Sequence, residues 1–331
     1  MNKSNFGLIG LGVMGRNLLL NVADQGFQVS GLDLDPKQVS AMKSERSEDH
    51  QLEAYTSTND FLESLTSPRT IMLLVPAGAI VDQVIESSIP KLDKGDLIID
   101  GGNSHFLDTE RREQYLNSQG LLFLGTGVSG GAQGARKGPS IMPGGELEAY
   151  RRVAPIFEAI TAKYEGEPCV SYVGRSGAGN YVKMVHNGIE YAIMQSIAEV
   201  YALFRSYGFS NAEAKSAFDS YQKGRLSSFL IEITAAILGT KDPEGKGELV
   251  DNILDKAKQK GTGKWTSQNA MDLGIAIPSI DMAVSQRALS ALKELRVRLS
   301  GNKPHPENST RSTYCYCCTY WILLVCCIFF C

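Results

Sequence analysis

The stretch KMVHNGIEY, residues 183–191, sets a lysine, a histidine, an asparagine, a glutamate and a tyrosine within nine positions. An α-helix turns about 100° per residue, so positions i, i+3, i+4, i+7 and i+8 share one side. Lys183, His186, Asn187, Glu190 and Tyr191 occupy those positions and fall inside an arc of roughly 140°. Met184, Val185 and Ile189 lie largely outside it. Two readings stand side by side. One is a solvated polar stripe, the usual fate of charged residues on a helix. The other is a catalytic face, which better explains His, Asn and Tyr beside one cation and one anion. The catalytic reading requires a cofactor site elsewhere in the chain.

The N-terminal part supplies one. An apolar run, Phe6–Ile9, leads into Gly10-Leu11-Gly12-Val13-Met14-Gly15, a helical pattern over 17–25, and a second run FQVSGLDLD that ends in acids. Strand, glycine triplet, helix, strand and an acidic residue about twenty positions on form the dinucleotide fingerprint. Gly10 suits the tight turn, Gly12 lets backbone approach a pyrophosphate, and Gly15 lets the helix pack close. The helix N-terminus then offers free N–H groups to phosphate. Further short apolar runs, TIMLLVP (70–76) and GDLIID (95–100), alternate with helical segments, as buried parallel strands require. Ligands sit beyond the carboxyl ends of such strands. The loops at Val75-Pro76-Ala77-Gly78, Gly101-Gly-Asn103-Ser104 and GTGVSGG (125–131, including Ser129, Gly130 and Gly131) are therefore expected to line the crevice.

From about residue 178 the strand signals stop. Apolar-periodic stretches at 178–207, 211–223, 226–238, 248–258 and 280–298 predict helices, so an α/β domain precedes a helical one. Between the last two lies KQKGTGKWT (258–266), read as a short cationic loop suited to a phosphate. A solvated lysine loop fits its spacing equally. Arg287 falls in an otherwise apolar helix and calls for an anion, either structural or on a ligand.

Length and charge bound the function. The chain has 331 residues, enough for two domains, and a net charge of −3, which gives no basic surface for nucleic acid. The N-terminus lacks the layout of an export signal, and Cys169 is the only cysteine in the first 314 residues. Both features point to a reducing, cytoplasmic setting. No metal-ligand set stands out in the body.

Taken together, GLIGLGVMGRN, IIDGGNS, GVSGG with GPSIMPGG, KMVHNGIEY, SFLIEITAAIL and KGTGKWT resemble the 6-phosphogluconate dehydrogenase family over residues 5 to about 299. The resemblance implies oxidative decarboxylation of 6-phosphogluconate to ribulose 5-phosphate and carbon dioxide in the pentose phosphate pathway. NAD or NADP would be the oxidant, no metal would be needed, and the assembly would be a homodimer. It implies Lys183 as general base and Glu190 as general acid. Asn103, Ser129, Gly130, Gly131, His186 and Asn187 would contact the sugar acid. Tyr191, Lys260, Thr262 and Arg287 would hold its phosphate. The cofactor would lie on Gly10, Leu11, Gly12, Val13, Met14, Gly15, Asp33, Leu34, Asp35, Val75, Pro76, Ala77 and Asn103. For Lys183 to act as a base near neutral pH, burial or nearby cations must lower its pKa.

Two departures from the family pattern carry expectations. Asp33-Leu34-Asp35 stands where most members have an arginine for the 2′-phosphate of NADP, and Pro76 stands where many have a lysine. Two carboxylates suit a free ribose diol, so NAD or dual use is expected, with Lys37 as a partial counterweight. The likeness is expected to stop near Ser300. The organisation expected is therefore a Rossmann-like doubly wound parallel sheet over 1–177 and a truncated all-α domain over 178–299. A Cys-rich apolar tail outside the family pattern follows over 300–331, its Trp321–Phe330 run about half a membrane span. The chain as written is expected to be weak or inactive. The alternatives are another β-hydroxyacid dehydrogenase and a truncated, non-catalytic dinucleotide-binding product.

Overall fold

The computed structural model describes residues 3–300. The expected Cys-rich segment lies, beyond Ser300, outside the described residues.

The N-terminal half alternates strand and helix: β1 (Phe6–Ile9), α1 (Val13–Asp24), β2 (Val29–Leu32), α2 (Pro36–Glu45), β3 (Leu52–Tyr55), α3 (Thr58–Glu63), β4 (Thr70–Leu73), α4 (Ala79–Ser88), β5 (Leu97–Asp100), α5 (Phe106–Ser118), β6 (Leu122–Ser129), α6 (Gly131–Lys137), β7 (Ser140–Gly145) and α7 (Leu147–Ile160). The seven strands run in the order β3-β2-β1-β4-β5-β6-β7, parallel except for β7, which pairs antiparallel with β6. This is a doubly wound sheet whose order reverses at β1, and crevices for ligands form at such a switch point.

Side-chain alternation explains why both faces are covered. In β1, Phe6 and Leu8 join the core under α1 and α7, with Leu18, Leu19, Val153 and Phe157, while Ile9 faces the other way. In β4 and β5, Ile71, Leu73 and Ile98 meet Phe61, Val81, Ile85 and Leu116 of α3, α4 and α5. Strands buried on both faces read as continuous apolar runs, which is how β1, β4 and β5 appear in the sequence.

A two-stranded hairpin, β8 (Lys163–Tyr164) and β9 (Glu167–Pro168), precedes the helical half. That half comprises α8 (Ala178–Ser206), α9 (Asn211–Gln222), α10 (Phe229–Leu238), α11 (Leu249–Asn252), α12 (Thr262–Asp272), α13 (Pro278–Ser290) and α14 (Lys293–Ser300). A capping box, in which Ser210 and Glu213 each satisfy the other's backbone N–H, starts α9. Ala214, Phe218, Ile231, Ala235 and Leu238 form the core between α9 and α10, against Ile197, Val200 and Phe204 of α8. The chain divides into two compact units between His186 and Asn187, inside α8.

Three local expectations differ from the structure. The 248–258 stretch gives only the single-turn α11. The 280–298 stretch is two helices, with a break at Ala291–Leu292. KQKGTGKWT is not a loop throughout, because Thr262 opens α12. Among the described residues no helix is long and apolar enough to cross a membrane, and no group of three or more His, Cys, Asp or Glu side chains could hold a metal ion.

Candidate active site

The glycine loop joins β1 to α1. Gly10 has φ of +101°, and a Cβ there would stand 2.5 Å from the Leu74 carbonyl oxygen. At Gly15 it would stand 1.8 Å from the Gly10 carbonyl oxygen, so the helix rests directly on the turn. Gly12 caps α1 with no side-chain bond, and a Cβ there would meet nothing within 4 Å, so the loop is open at that point. Leu11 is buried, Val13 is exposed and Met14 is half-buried.

The end of β2 closes on this loop. Asp33 accepts a hydrogen bond from the Leu11 N–H at 2.8 Å through Oδ2, and from the Asp35 N–H at 2.9 Å through Oδ1. Leu34 is exposed, and Asp35 caps α2 by accepting from the Lys37 N–H at 2.9 Å. Arg16 in the same corner donates to the Leu11 carbonyl at 2.9 Å, to Gln38 and to Glu45.

Beyond β4 and β5 the two loops are locked together by a buried charge network that the sequence reading missed. Arg112 of α5, 1% exposed, donates to both Asp82 oxygens at 2.8 and 3.1 Å and to the Gly78 carbonyl at 3.0 Å. Its Nη1 reaches Asp100 at 3.2 Å and Ser104 at 3.1 Å. Asp100 also accepts from Ser104 Oγ at 2.6 Å and from the Gly102 N–H at 3.0 Å. Burial drives the Asp100 carboxyl above the ordinary carboxylate range, with Ser104, Arg112 and Gly102 pulling the other way. Val75 is half-buried, and Pro76, Ala77 and Asn103 are exposed.

The expected 125–131 loop is mostly strand. β6 runs to Ser129, and its glycines serve close packing rather than a turn. A Cβ on Gly127 would lie 2.4 Å from the Lys183 Cβ, and one on Gly125 would lie 2.2 Å from Thr109 Cγ2. Gly144 and Gly179 meet in the same way, 2.3 Å from a built Cβ to the Gly179 nitrogen. Backbone contact of this kind presses the start of α8 onto the sheet and sets where Lys183 stands. Gly130 and Gly131, both at positive φ, follow at the start of α6. Lys183 is buried, with Nζ 3.5 Å from His186 Nδ1.

The C-terminal unit gathers a second set. Asn187 Nδ2 donates to Thr262 Oγ1 at 3.3 Å. The Tyr191 ring lies on the first turn of α12, where a Cβ at Gly263 would fall 2.6 Å from it. Arg287 stacks its guanidinium 3.6 Å from the Tyr191 ring centroid and donates to the Lys258 carbonyl at 2.5 Å. Arg287 thus meets an aromatic face and a backbone oxygen, a favourable setting for a cation. Lys260 is exposed, and Glu190 is half-buried on α8 one position before Tyr191. Thus Asn187, Tyr191, Thr262 and Arg287 come together, and Lys183 pairs with His186.

Comparison with known proteins bears on this arrangement. Residues 5–174 match the NAD binding domain of 6-phosphogluconate dehydrogenase, and residues 179–316 match its C-terminal domain, past the boundary near 299 expected from the motifs. The decarboxylating 6-phosphogluconate dehydrogenase of Lactococcus lactis subsp. lactis is 52% identical over 303 residues, 91% of this chain and 64% of that protein. The NADP(+)-dependent, decarboxylating enzyme of Bacillus subtilis is 51% identical over 308 residues, 93% of this chain and 66% of that protein. The chain thus spans just under two thirds of the length of these curated relatives. The Plasmodium falciparum 6-phosphogluconate dehydrogenase, solved apo, with its cofactor NADP+ and with its substrate 6-phosphogluconate, superposes with a TM-score of 0.91 at 38% identity. That alignment covers 98% of this chain and 70% of the other. The chain belongs to the 6-phosphogluconate dehydrogenase family.

Proposed function

We propose that this protein carries out the oxidative decarboxylation of 6-phosphogluconate with a nicotinamide dinucleotide. The observation that carries the proposal is the buried Lys183, packed against Gly127 of β6 on a helix that also bears Glu190. The residues present suit the dinucleotide. Gly12 leaves an open approach, the first turn of α1 has no side-chain cap, and Asp33 stands at the mouth of the glycine loop.

Buried on α8, Lys183 takes the proton from the C3 hydroxyl of the sugar acid. A bound nicotinamide would supply the acceptor for the hydride that leaves C3. The resulting 3-keto acid loses its carboxylate as carbon dioxide, the carbonyl taking up the electron pair. Glu190 then returns a proton to the carbon that becomes C1 of ribulose 5-phosphate. The family resemblance assigns the carboxylate and hydroxyls to Asn103, Ser129, Gly130, Gly131, His186 and Asn187, and the phosphate to Tyr191, Lys260, Thr262 and Arg287. None of these steps calls on a metal.

The adenosine end favours NAD or dual use. A 2′-phosphate would meet Asp33 and Asp35, while Arg16 is already engaged by Glu45, Gln38 and the Leu11 carbonyl. The family resemblance also supports a homodimer. The test is to incubate the protein with 6-phosphogluconate and NAD or NADP, following reduced nicotinamide and carbon dioxide together. Equimolar formation of both supports the proposal. Dinucleotide binding with no substrate-dependent reduction refutes it.

A further inference from the structure

We propose that Asn180 is a positioning residue that ties the loop carrying Asn103 to the helix carrying Lys183. The proposal rests on the functional reading of those two residues given above.

Asn180 lies on the first turn of α8, three positions before Lys183 and on the same helix face, and is 1% exposed. Both ends of its amide are used, with opposite polarity. Oδ1 accepts from Thr109 Oγ1 at 3.1 Å, and Nδ2 donates to the Gly102 carbonyl at 3.2 Å. A carbonyl can only accept, so the nitrogen must face Gly102, and only an amide-like side chain satisfies both partners at once. Gly125 makes the room, since a Cβ there would stand 2.5 Å from Asn180 Oδ1.

The other face of the same loop is held by Asp100, which accepts from the Gly102 N–H at 3.0 Å and from Ser104 Oγ at 2.6 Å. Asn103 is thus an exposed residue between two anchored neighbours. Asn180 is the side chain that connects those anchors to α8. Its loss leaves the Gly102 carbonyl without that donor and lets the loop shift against Lys183.

The test uses the full chain with Asn180→Ala and Asn180→Asp. Thr109→Val serves as an isosteric second variant, and Thr109→Ser as the conservative control. Hydrogen exchange of residues 101–104 is measured alongside the C3-deuterium isotope effect on oxidation of 6-phosphogluconate. Asn180→Ala and Asn180→Asp should speed exchange in 101–104 about tenfold, with β1 unchanged, because both lose the buried hydrogen bond to the Gly102 carbonyl. They should also raise the isotope effect, as misplacement of the loop slows hydride transfer. Thr109→Val should move both readouts in the same direction and less, and Thr109→Ser neither. Unchanged exchange at 101–104, or an equal rise throughout the unit, overturns the proposal, as does lower turnover with an unchanged isotope effect. If the unsubstituted chain does not oxidise the sugar acid, the functional reading falls. The exchange result then decides the role of Asn180 by itself.

Discussion

Replacing Arg112 with methionine removes a side chain that spans the loops after β4 and β5. Five hydrogen bonds go with it, to Asp82 twice, Gly78, Asp100 and Ser104. The greatest effect falls on Asp100, which is 0% exposed and keeps only Ser104 and the Gly102 N–H. Breaking a buried pair by removing one partner costs about 3–5 kcal/mol. For a unit of this size that lowers the thermal midpoint by roughly 6–20 °C. The loss depends on pH. Burial already raises the Asp100 carboxyl, and without Arg112 it rises further. In the window between its unfolded and folded values the folded state holds a proton that the unfolded state has released, so stability falls as pH rises. The variant should therefore be closer to the parent near about pH 5 than near about pH 8. Adding Asp100→Asn removes the stranded charge and should recover about 2 kcal/mol. Thermal unfolding of the parent, single and double variants at the two pH values is the assay. A cost below about 1 kcal/mol, or one that neither varies with pH nor responds to Asp100→Asn, refutes the reasoning.

Gly127→Ala should cost about 1–3 kcal/mol by overpacking and should lower turnover, since the new methyl would stand 2.4 Å from the Lys183 Cβ; calorimetric unfolding and steady-state kinetics check both effects. The kcat/KM for NAD should equal or exceed that for NADP, and Asp33→Asn should shift the ratio toward NADP by about tenfold, the size of one charge-assisted contact. A strong NADP preference in the unsubstituted chain would show that Lys37 or another cation outweighs the acids. Ser210→Ala opens the capping box of α9 and should lower the urea stability of the C-terminal unit by about 1 kcal/mol.

The parts of the fold that were legible are those whose physics is local. Gly10 and Gly15 announce a turn because their backbone and close approach exclude side chains, and β1, β4 and β5 stand out as apolar runs. The glycines of β6 read as a loop because a glycine needed for helix-on-sheet contact looks the same in sequence as one needed for a turn. Only the approach of Lys183, Thr109 and Asn180 separates the two cases. α12 was hidden because its first turn, Thr262-Gly-Lys-Trp, carries no apolar period. α13 and α14 merged because no Gly or Pro marks the break at Ala291–Leu292. The helix that carries Lys183 to Tyr191 was readable from its spacing. Arg112 was not, since its partners lie 8 to 34 positions away on other elements. Asn180 left a usable signal, a polar residue three positions before Lys183 on the same face.

The central claim is that Lys183 is the base of a nicotinamide-dependent oxidation of 6-phosphogluconate. The most direct measurement compares the unsubstituted protein with Lys183→Met, following reduction of NAD and NADP by 6-phosphogluconate and dinucleotide binding by calorimetry. The account predicts substrate-dependent reduction in the former, however slow, none in the variant, and unchanged dinucleotide binding in both. A Lys183→Met protein that reduces the dinucleotide at a near-parental rate would contradict it.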